Sequence, residues 1–327
     1  MIQEEVSAVE ARQVKDLILR IRREISRIFV GQEGIINALI RGVLCNGHIL
    51  LEGVPGIAKT LAVRALGAAS GCNVKRVQFT VDLLPTDIIG LTTYIPNKGF
   101  EVIKGPIFSN FLIADEINRS PPKVQSALLE AMQERIVTIG KENYPLSAPF
   151  FVMATQNPLE VSGVYFLPEA ELDRFLFKLN VTYPSIEDEI KILKTNINLR
   201  DFEEFNIKAV TSPKEIVAMQ DIVKKIYVAP EVEKYIVRIV HMTRKKEGFE
   251  HAKFVEWGGS PRASIGIYIA AKAEALMQGR KFVTPDDVKK IAFDVLRHRI
   301  ILTYAAQVEG INSDFIIKEI LNKVPVP

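Results

Sequence analysis

One stretch of the chain, residues 48–60, restricts the fold more than any other. The apolar run Ile49–Leu51 precedes a glycine-containing turn, and Lys59 and Thr60 then open a segment of good helix formers. This order predicts a strand, a loop and a helix whose first backbone N–H groups can hold phosphate. In that interpretation Lys59 reaches the β- and γ-phosphates of a nucleotide, and the Thr60 hydroxyl binds Mg²⁺.

One position departs from the phosphate-loop pattern Gly-x-x-x-x-Gly-Lys-Ser/Thr. Ala58 stands where the pattern has glycine. Because alanine has a Cβ, it resists a positive φ, so a phosphate loop here requires a helix-compatible conformation at Ala58. The alternative is a plain glycine turn between a strand and a helix.

Composition and charge place the chain among ordinary globular proteins. The sequence has 327 residues, a formal net charge of +3, two cysteines and four histidines. The length predicts one large or two modest domains, and so weak a charge does not by itself indicate a nucleic-acid partner. The cysteines cannot build a disulfide framework, and the histidines lack metal-ligand spacing. No signal peptide is visible and no apolar run approaches the roughly twenty residues of a membrane span, so we expect a cytoplasmic protein.

The first half of the chain alternates predicted strands with predicted helices. The wholly apolar runs Phe111–Ala114 and Phe150–Ala154 are typical of strands buried on both faces of a parallel sheet. An amphipathic helix is predicted over 6–28, and a second helix over about 34–45. With the remaining extended runs, the pattern predicts five strands, at 49–51, 75–80, 111–114, 150–154 and 175–181.

Two hairpins and a change of composition divide the chain further. The segments at about 91–106 and about 135–148 each contain two extended runs around a turn, which predicts a hairpin. Helices dominate beyond Tyr183–Ser185, so we predict an α/β core over 1–184 and a helical domain over 185–327. Three of these helices begin with a capping hydroxyl and a proline, at Ser212-Pro213, Ser260-Pro261 and Thr284-Pro285.

Polar residues follow both buried strands. Because parallel strands end at one edge of a sheet, Asp115, Glu116 and Asn157 are expected to meet there. Asp115 would hold Mg²⁺ beside Thr60, directly or through water. Glu116 would polarise a water for attack on the γ-phosphate, and Asn157 would orient that water. The alternatives are a helix N-cap for the acidic pair and a simple Asn-Pro turn for Asn157.

Two arginines extend the predicted site. Arg174 precedes the last predicted strand, and Arg262 falls in the first turn of a helix that follows Ser260. A cation at a helix N-terminus opposes the helix dipole, so an anion that it must reach would explain Arg262. For Arg174 a salt bridge to the acidic residues near Glu169 and Glu171 is the alternative.

With these motifs, the chain closely resembles the MoxR group of AAA+ ATPases. The resemblance runs through most of the length and is carried by residues 51–60, 114–119, 128–134, 154–158, 167–175 and 260–263. It implies an α/β fold, namely a P-loop three-layer αβα domain with a five-stranded parallel sheet, followed by an all-α lid domain. It also implies ATP and Mg²⁺ as cofactors, and the family tolerates a small residue at the position of Ala58.

The resemblance also implies a role for each predicted site residue. Lys59 and Thr60 would belong to Walker A, Asp115 and Glu116 to Walker B, and Asn157 to sensor 1. Arg174 resembles the arginine finger that reaches the γ-phosphate of a neighbouring subunit, and Arg262 resembles sensor 2. The hairpins are similar to the helix-2 insert and the pre-sensor-1 hairpin of relatives that include magnesium chelatase and replicative helicases.

These inferences give one set of site residues. We predict Lys59, Glu116, Asn157, Arg174 and Arg262 as catalytic residues and Thr60 and Asp115 as metal ligands. The segment Val30-Gly31-Gln32 is either a helix cap and turn or a small surface for an adenine ring. The predicted nucleotide-binding residues are Val30, Gly31, Gln32, Gly53, Val54, Pro55, Gly56, Ile57, Ala58, Lys59, Thr60 and Leu61.

The leading functional hypothesis is an oligomeric Mg²⁺-dependent ATPase, typically a hexameric ring. Its turnover would drive chaperone-like remodelling, maturation or metal loading of client proteins, often ones with von Willebrand factor A domains. A nucleic-acid motor is the first alternative, but the hairpins offer only a thin basic lining, Lys98, Lys104 and Lys141, offset by Glu101 and Glu142. The second alternative is a nucleotide-dependent scaffold with little turnover.

Overall fold

The structure is a computed structural model that describes residues 6–29, 31–53, 59–157, 163–196 and 202–327. The side chains of Lys59, Thr195 and Asn196 lie outside this description. Within the described residues, no helix combines the length and the apolar character that crossing a membrane requires.

Helices and strands are numbered separately along the chain. The strands are β1 (Ile49–Gly53), β2 (Val74–Gln78), β3 (Gly90–Ile95), β4 (Gly99–Lys104), β5 (Phe111–Asp115), β6 (Ile136–Ile139), β7 (Glu142–Pro145), β8 (Phe151–Gln156), β9 (Phe177–Val181), β10 (Val255–Trp257) and β11 (Ile301–Leu302). The α-helices are α1 (Ala8–Ile25), α2 (Glu33–Leu44), α3 (Lys59–Ala69), α4 (Pro85–Ile89), α5 (Pro122–Glu134), α6 (Glu169–Leu172), α7 (Ile186–Asn196), α8 (Pro213–Lys225), α9 (Pro230–Met242), α10 (Pro261–Met277), α11 (Pro285–Leu296), α12 (Tyr304–Val308) and α13 (Ser313–Lys323).

Five of the strands form the central sheet, in the order β2, β5, β8, β1, β9. The pairs β2/β5, β5/β8 and β8/β1 are parallel. Every residue of β5 is buried, and so are the first five residues of β8, as their apolar sequences predicted. Phe111 and Phe151 pack edge to face across these two strands, with ring centroids 5.5 Å apart. The predicted five-stranded parallel sheet is therefore confirmed.

A buried histidine, His48, connects the beginning of β1 to β8 and α5 through hydrogen bonds. His48 Nδ1 accepts a hydrogen bond from the Val152 N–H at 3.0 Å, so Nε2 carries the proton and donates to the Met132 carbonyl at 3.1 Å. Burial, together with the charge of Arg135, lowers the pKa of His48 to about 3. His48 is therefore a neutral structural residue.

Two antiparallel hairpins lie outside the central sheet, one in each segment for which a hairpin is predicted. β3 pairs with β4, and β6 pairs with β7. In the first hairpin Tyr94 lies opposite Phe100, and their rings meet edge to face with centroids 5.4 Å apart. Leu91, Tyr94, Phe100 and Ile103 are all exposed, so this hairpin presents apolar side chains to solvent on both faces.

The described residues divide into two compact units. One, the sheet unit, comprises Leu17–Arg174 and Leu179–Ala218. The other, the helical unit, comprises 6–16, Phe175–Lys178 and Met219–Pro327. The division differs from the predicted boundary at residues 184 and 185, because α7 groups with the sheet unit. As a limit between independently folding domains, that boundary stays a prediction.

The C-terminal helices begin where the hydroxyl and proline pairs predict. α8, α10 and α11 start at Pro213, Pro261 and Pro285. Before α10 the Ser260 side chain accepts a hydrogen bond from the Arg262 N–H at 3.1 Å. The antiparallel pair β10/β11 in the helical unit was not predicted from the sequence. These strands have only three and two residues, too few for a recognisable alternation.

Candidate active site

The candidate site lies where the strands of the central sheet end. β1 ends at Gly53 and α3 begins at Lys59, so a strand and a helix flank the predicted loop. A Cβ on Gly53 would collide with the backbone carbonyl of Val181, which explains glycine at this strand end. The predicted nucleotide-binding residues Val54, Pro55, Gly56, Ile57 and Ala58 lie outside the described residues, and so does the side chain of Lys59.

Thr60 and Asp115 come together as the sequence predicts. Asp115 is the last residue of β5, and only 8% of its surface is exposed. The Thr60 hydroxyl donates a hydrogen bond to Asp115 Oδ2 at 3.3 Å, from the first turn of α3. An aliphatic hydroxyl and a carboxylate are hard oxygen donors of the kind that Mg²⁺ takes in nucleotide sites, so this donor pair fits the implied metal. Leu61 follows Thr60 in the same helix turn.

Thr155 of β8 forms hydrogen bonds to both Asp115 and Glu116. Its hydroxyl donates to Asp115 Oδ1 at 3.1 Å and accepts from the Glu116 backbone N–H at 2.8 Å. The hydroxyl is well suited to this position because it can donate and accept at once. Thr155 therefore fixes the end of β5 against β8.

Glu116 has an unusual backbone conformation for a residue other than glycine. Its φ of 56° and ψ of 50° are left-handed, a region that costs free energy for an L-residue with a Cβ. Glu116 Oε2 accepts from Gln78 Nε2 at 2.7 Å and from Arg119 Nη1 at 3.0 Å. The Glu116 carboxylate thus has two side-chain donors, one from β2 and one from the turn that follows Glu116. The alternative prediction was that the acidic pair caps a helix. Glu116 precedes the short helix that follows, but its side chain forms no capping hydrogen bond there.

Asn157 follows β8 directly and is buried, with 8% of its surface exposed. β8 lies between β5 and β1 in the sheet, so Asn157 is at the same sheet edge as Asp115 and Gly53. Its backbone carbonyl accepts a hydrogen bond from Asn118 Nδ2 at 3.5 Å. The structure therefore places Asn157 at the edge where the sequence analysis expects it.

Gly31 and Gln32 lie against the chain that follows β9, within the sheet unit. Gly31 has a φ of 75°, and a Cβ there would approach Asp188 Cγ to 2.7 Å. The Gln32 side chain donates to the Thr182 carbonyl at 2.9 Å. Val30 is outside the described residues. The role of this segment as an adenine surface stays a prediction.

The two predicted arginines belong to different units. Arg174 follows α6 in the sheet unit, and in the described part of the chain its guanidinium has no hydrogen bond or ion pair. The alternative salt bridge to Glu169 or Glu171 is not formed there, and Glu171 instead accepts a hydrogen bond from Ser126 at 3.4 Å. Arg262 lies in the first turn of α10, in the helical unit.

The partners that β2 supplies were not predicted from the sequence. Arg76 Nε donates to Asp115 Oδ2 at 2.6 Å, and Arg76 Nη2 donates to Gln78 Oε1 at 3.2 Å. Gln78 lies next to Asp115 in the parallel register of β2 and β5. The only sequence signal was a polar pattern in the predicted strand at 75–80. That signal becomes informative once β2 is known to pair with β5.

Comparison with known proteins gives consistent matches over most of the chain. Residues 48–177 match a family model described as ATPase family associated with various cellular activities (AAA), and residues 250–320 match one described as AAA lid domain. The chaperone MoxR1 of Mycobacterium tuberculosis (strain ATCC 25618 / H37Rv) is 48% identical over 308 residues, covering 93% of this chain and 81% of that protein. The uncharacterized protein YeaC of Bacillus subtilis (strain 168) is 43% identical over 304 residues, covering 93% and 92%. A crystal structure of a proposed ATPase from Cytophaga hutchinsonii ATCC 33406 has a TM-score of 0.90 and 44% identity, covering 97% of both chains.

We predict that loss of the two hydrogen bonds of the Thr155 hydroxyl destabilises the protein. Thr155→Val keeps the side-chain shape but leaves the Glu116 N–H and one oxygen of the buried Asp115 without this partner. We expect the free energy of unfolding to fall by about 1–3 kcal/mol, measured by urea denaturation. Thr155→Ser, which retains the hydroxyl, is the control and should recover most of the loss. A valine variant as stable as the wild type would contradict the role given to Thr155.

Proposed function

This chain belongs to the MoxR group of AAA+ ATPases, and we propose that it hydrolyses ATP and uses the turnover to remodel or mature client proteins. The observation that carries the proposal is the approach of the Thr60 hydroxyl to Asp115 at 3.3 Å, with Glu116 next in the chain. Phosphoryl transfer requires a phosphate cradle, a metal carboxylate and a group that positions water, all within one site. Asp115 and Thr60 can supply the metal ligands, and Glu116 can supply the group that positions water.

Thr60 and Asp115 would hold Mg²⁺, and Lys59 with the loop before it would bind the phosphates. Mg²⁺, when bound, neutralises the charge that develops on the phosphate oxygens. The Thr60 hydroxyl could bind the metal through a lone pair of its oxygen while it still donates its hydrogen bond to Asp115. Asp115 can act directly or through water, because Thr155 keeps the carboxylate in place from the other side.

Glu116 would take the proton of the attacking water, and Asn157 would orient that water. The left-handed turn at Glu116 supports this assignment, since backbone strain of this kind persists only where neighbouring contacts enforce it. The contact that enforces it is the hydrogen bond from the Glu116 N–H to Thr155. Asn157 lies at the same sheet edge, and Arg262 would contribute as sensor 2.

Arg174 supports a ring in which neighbouring subunits share each site. In the described part of the chain its half-buried guanidinium forms no ion pair, and a cation close to a carboxylate-rich segment normally finds one. We propose that Arg174 reaches the γ-phosphate bound by an adjacent subunit of a homo-oligomer, for which the family favours a hexamer. The functional unit would then be the junction between two subunits.

The exposed hairpin supports a protein client more than a nucleic acid. β3 and β4 expose the apolar side chains Leu91, Tyr94, Phe100 and Ile103. A hairpin that binds the phosphate backbone of a nucleic acid would instead expose mainly basic side chains. The resemblance to the MoxR group further suggests clients with von Willebrand factor A domains and action in the cytoplasm. Metal or cofactor loading of such a client is one form that the remodelling could take.

The first test removes the proposed catalytic carboxylate. Glu116→Gln keeps the side-chain shape, so ATP should still bind, but the variant lacks a base and ATP turnover should fall by about 10²–10⁴-fold. A steady-state phosphate-release assay measures turnover, and equilibrium nucleotide binding is measured alongside it. Glu247→Gln, in an exposed turn of the helical unit, is the matched control and should behave as wild type.

Two results of that test would contradict the proposal. Undiminished hydrolysis by Glu116→Gln would remove Glu116 from its role. A wild-type chain that binds ATP without measurable turnover would instead favour the scaffold alternative.

The second test asks whether Arg174 acts on a neighbouring subunit. Arg174→Ala and Lys59→Ala should each lower turnover by about 10³-fold or more, because one loses the finger and the other the phosphate ligand. When the two variants are mixed, some junctions combine an intact Lys59 with an intact Arg174, and phosphate release should rise above that of either variant alone.

The control for the mixing test combines Lys59→Ala with Glu116→Gln. Both substitutions damage the pocket of their own subunit, so no junction is restored and turnover should stay low. Absence of rescue in the Arg174 and Lys59 mixture at every ratio would contradict a finger that acts between subunits.

A further inference from the structure

The guanidinium of Arg76 lies on the carboxylate that the proposed function assigns to the metal. Arg76 Nε donates to Asp115 Oδ2 at 2.6 Å. The same oxygen accepts the hydrogen bond from Thr60 at 3.3 Å, whereas Oδ1 is bound by Thr155. The arginine therefore contacts Asp115 on the side that faces Thr60, which is the side where a shared cation would have to bind.

Strand geometry explains how Arg76 reaches this position. Arg76 and Gln78 are two residues apart in β2, so their side chains leave the same face of the strand. Gln78 pairs with Asp115 in the register of β2 and β5, and its Oε1 accepts a hydrogen bond from Arg76 Nη2 at 3.2 Å. Gln78 thus orients the guanidinium toward Asp115.

If a metal ion and the Arg76 guanidinium both contacted Asp115, their positive charges would repel each other strongly. Mg²⁺ shared by Thr60 and Asp115 would bring two positive charges to within a few ångströms of a third, at a carboxylate that is mostly shielded from water. Only 11% of the Asp115 side chain is exposed, whereas 55% of the Arg76 side chain is exposed. Arg76 can therefore move into solvent, but Asp115 cannot.

From this geometry we propose that Arg76 is a positioning residue that occupies the place of the metal's charge on Asp115 until Mg²⁺ and nucleotide bind. Arg76 keeps the carboxylate oriented toward Thr60, and it leaves when the metal arrives. Because each binding event must displace it, Arg76 weakens metal binding and sets the Mg²⁺ concentration at which the site fills. This inference rests on the proposed ATP site.

The test replaces Arg76 and measures metal binding instead of turnover. With protein in excess over ADP, Mn²⁺ binding to the protein–ADP complex is followed by the electron paramagnetic resonance signal of free Mn²⁺. Arg76→Gln removes the competing charge, so Mn²⁺ should bind roughly three- to tenfold more tightly than to the wild type. Binding of ADP in the presence of EDTA verifies that each variant has a folded site.

Two controls separate charge from side-chain loss. Arg76→Lys retains a cation and should bind Mn²⁺ much as the wild type does. Arg64→Gln, also in the sheet unit, removes an arginine that pairs with Glu203 at 3.3 Å instead of Asp115, and Mn²⁺ affinity should not change.

The possible failures are distinguishable. If Mn²⁺ binds Arg76→Gln no more tightly than the wild type, or more weakly, Arg76 is a static ion-pair partner and this inference is wrong, while the ATP site stands. If the wild-type protein–ADP complex itself takes up no Mn²⁺, the proposed metal site is wrong and the inference about Arg76 fails with it.

Discussion

The candidate site depends on the hydrogen bonds that the Asp115 carboxylate accepts. A carboxylate buried at the end of a strand is unfavourable unless other groups stabilise its charge. Asp115 is stabilised from three elements at once, by Thr60 of α3, Thr155 of β8 and Arg76 of β2. Each of these contacts fixes one element against the end of β5. The hydrogen bonds that Asp115 accepts therefore also set the shape of the sheet edge.

Thr155 extends that arrangement from Asp115 to Glu116. Its hydroxyl binds the Asp115 carboxylate and the Glu116 backbone N–H together, and it supports the left-handed turn between them. The two carboxylates have different partners, since Asp115 accepts from Thr155 and Arg76 whereas Glu116 accepts from Gln78 and Arg119.

The sequence was sufficient for the features that local patterns determine. Apolar runs at 111–114 and 150–154 predicted buried parallel strands, and the carboxylate predicted to lie beside Thr60, Asp115, does so. The partners Arg76, Gln78 and Thr155 were not predictable, because they depend on strand order. Nothing local to the sequence shows that β2 lies beside β5, or that β8 lies between β5 and β1. The short strands β10 and β11 were missed for a different reason, since two or three residues carry no periodicity.

We propose that Asp115 holds the metal of a bound nucleotide in this chain. This proposal is tested most directly by Mn²⁺ binding to the ADP complex of Asp115→Asn, which keeps the side-chain shape but not the charge. Mn²⁺ affinity should fall by about tenfold or more, while ADP binding in EDTA stays unchanged. An asparagine variant that binds Mn²⁺ as tightly as the wild type would contradict the account.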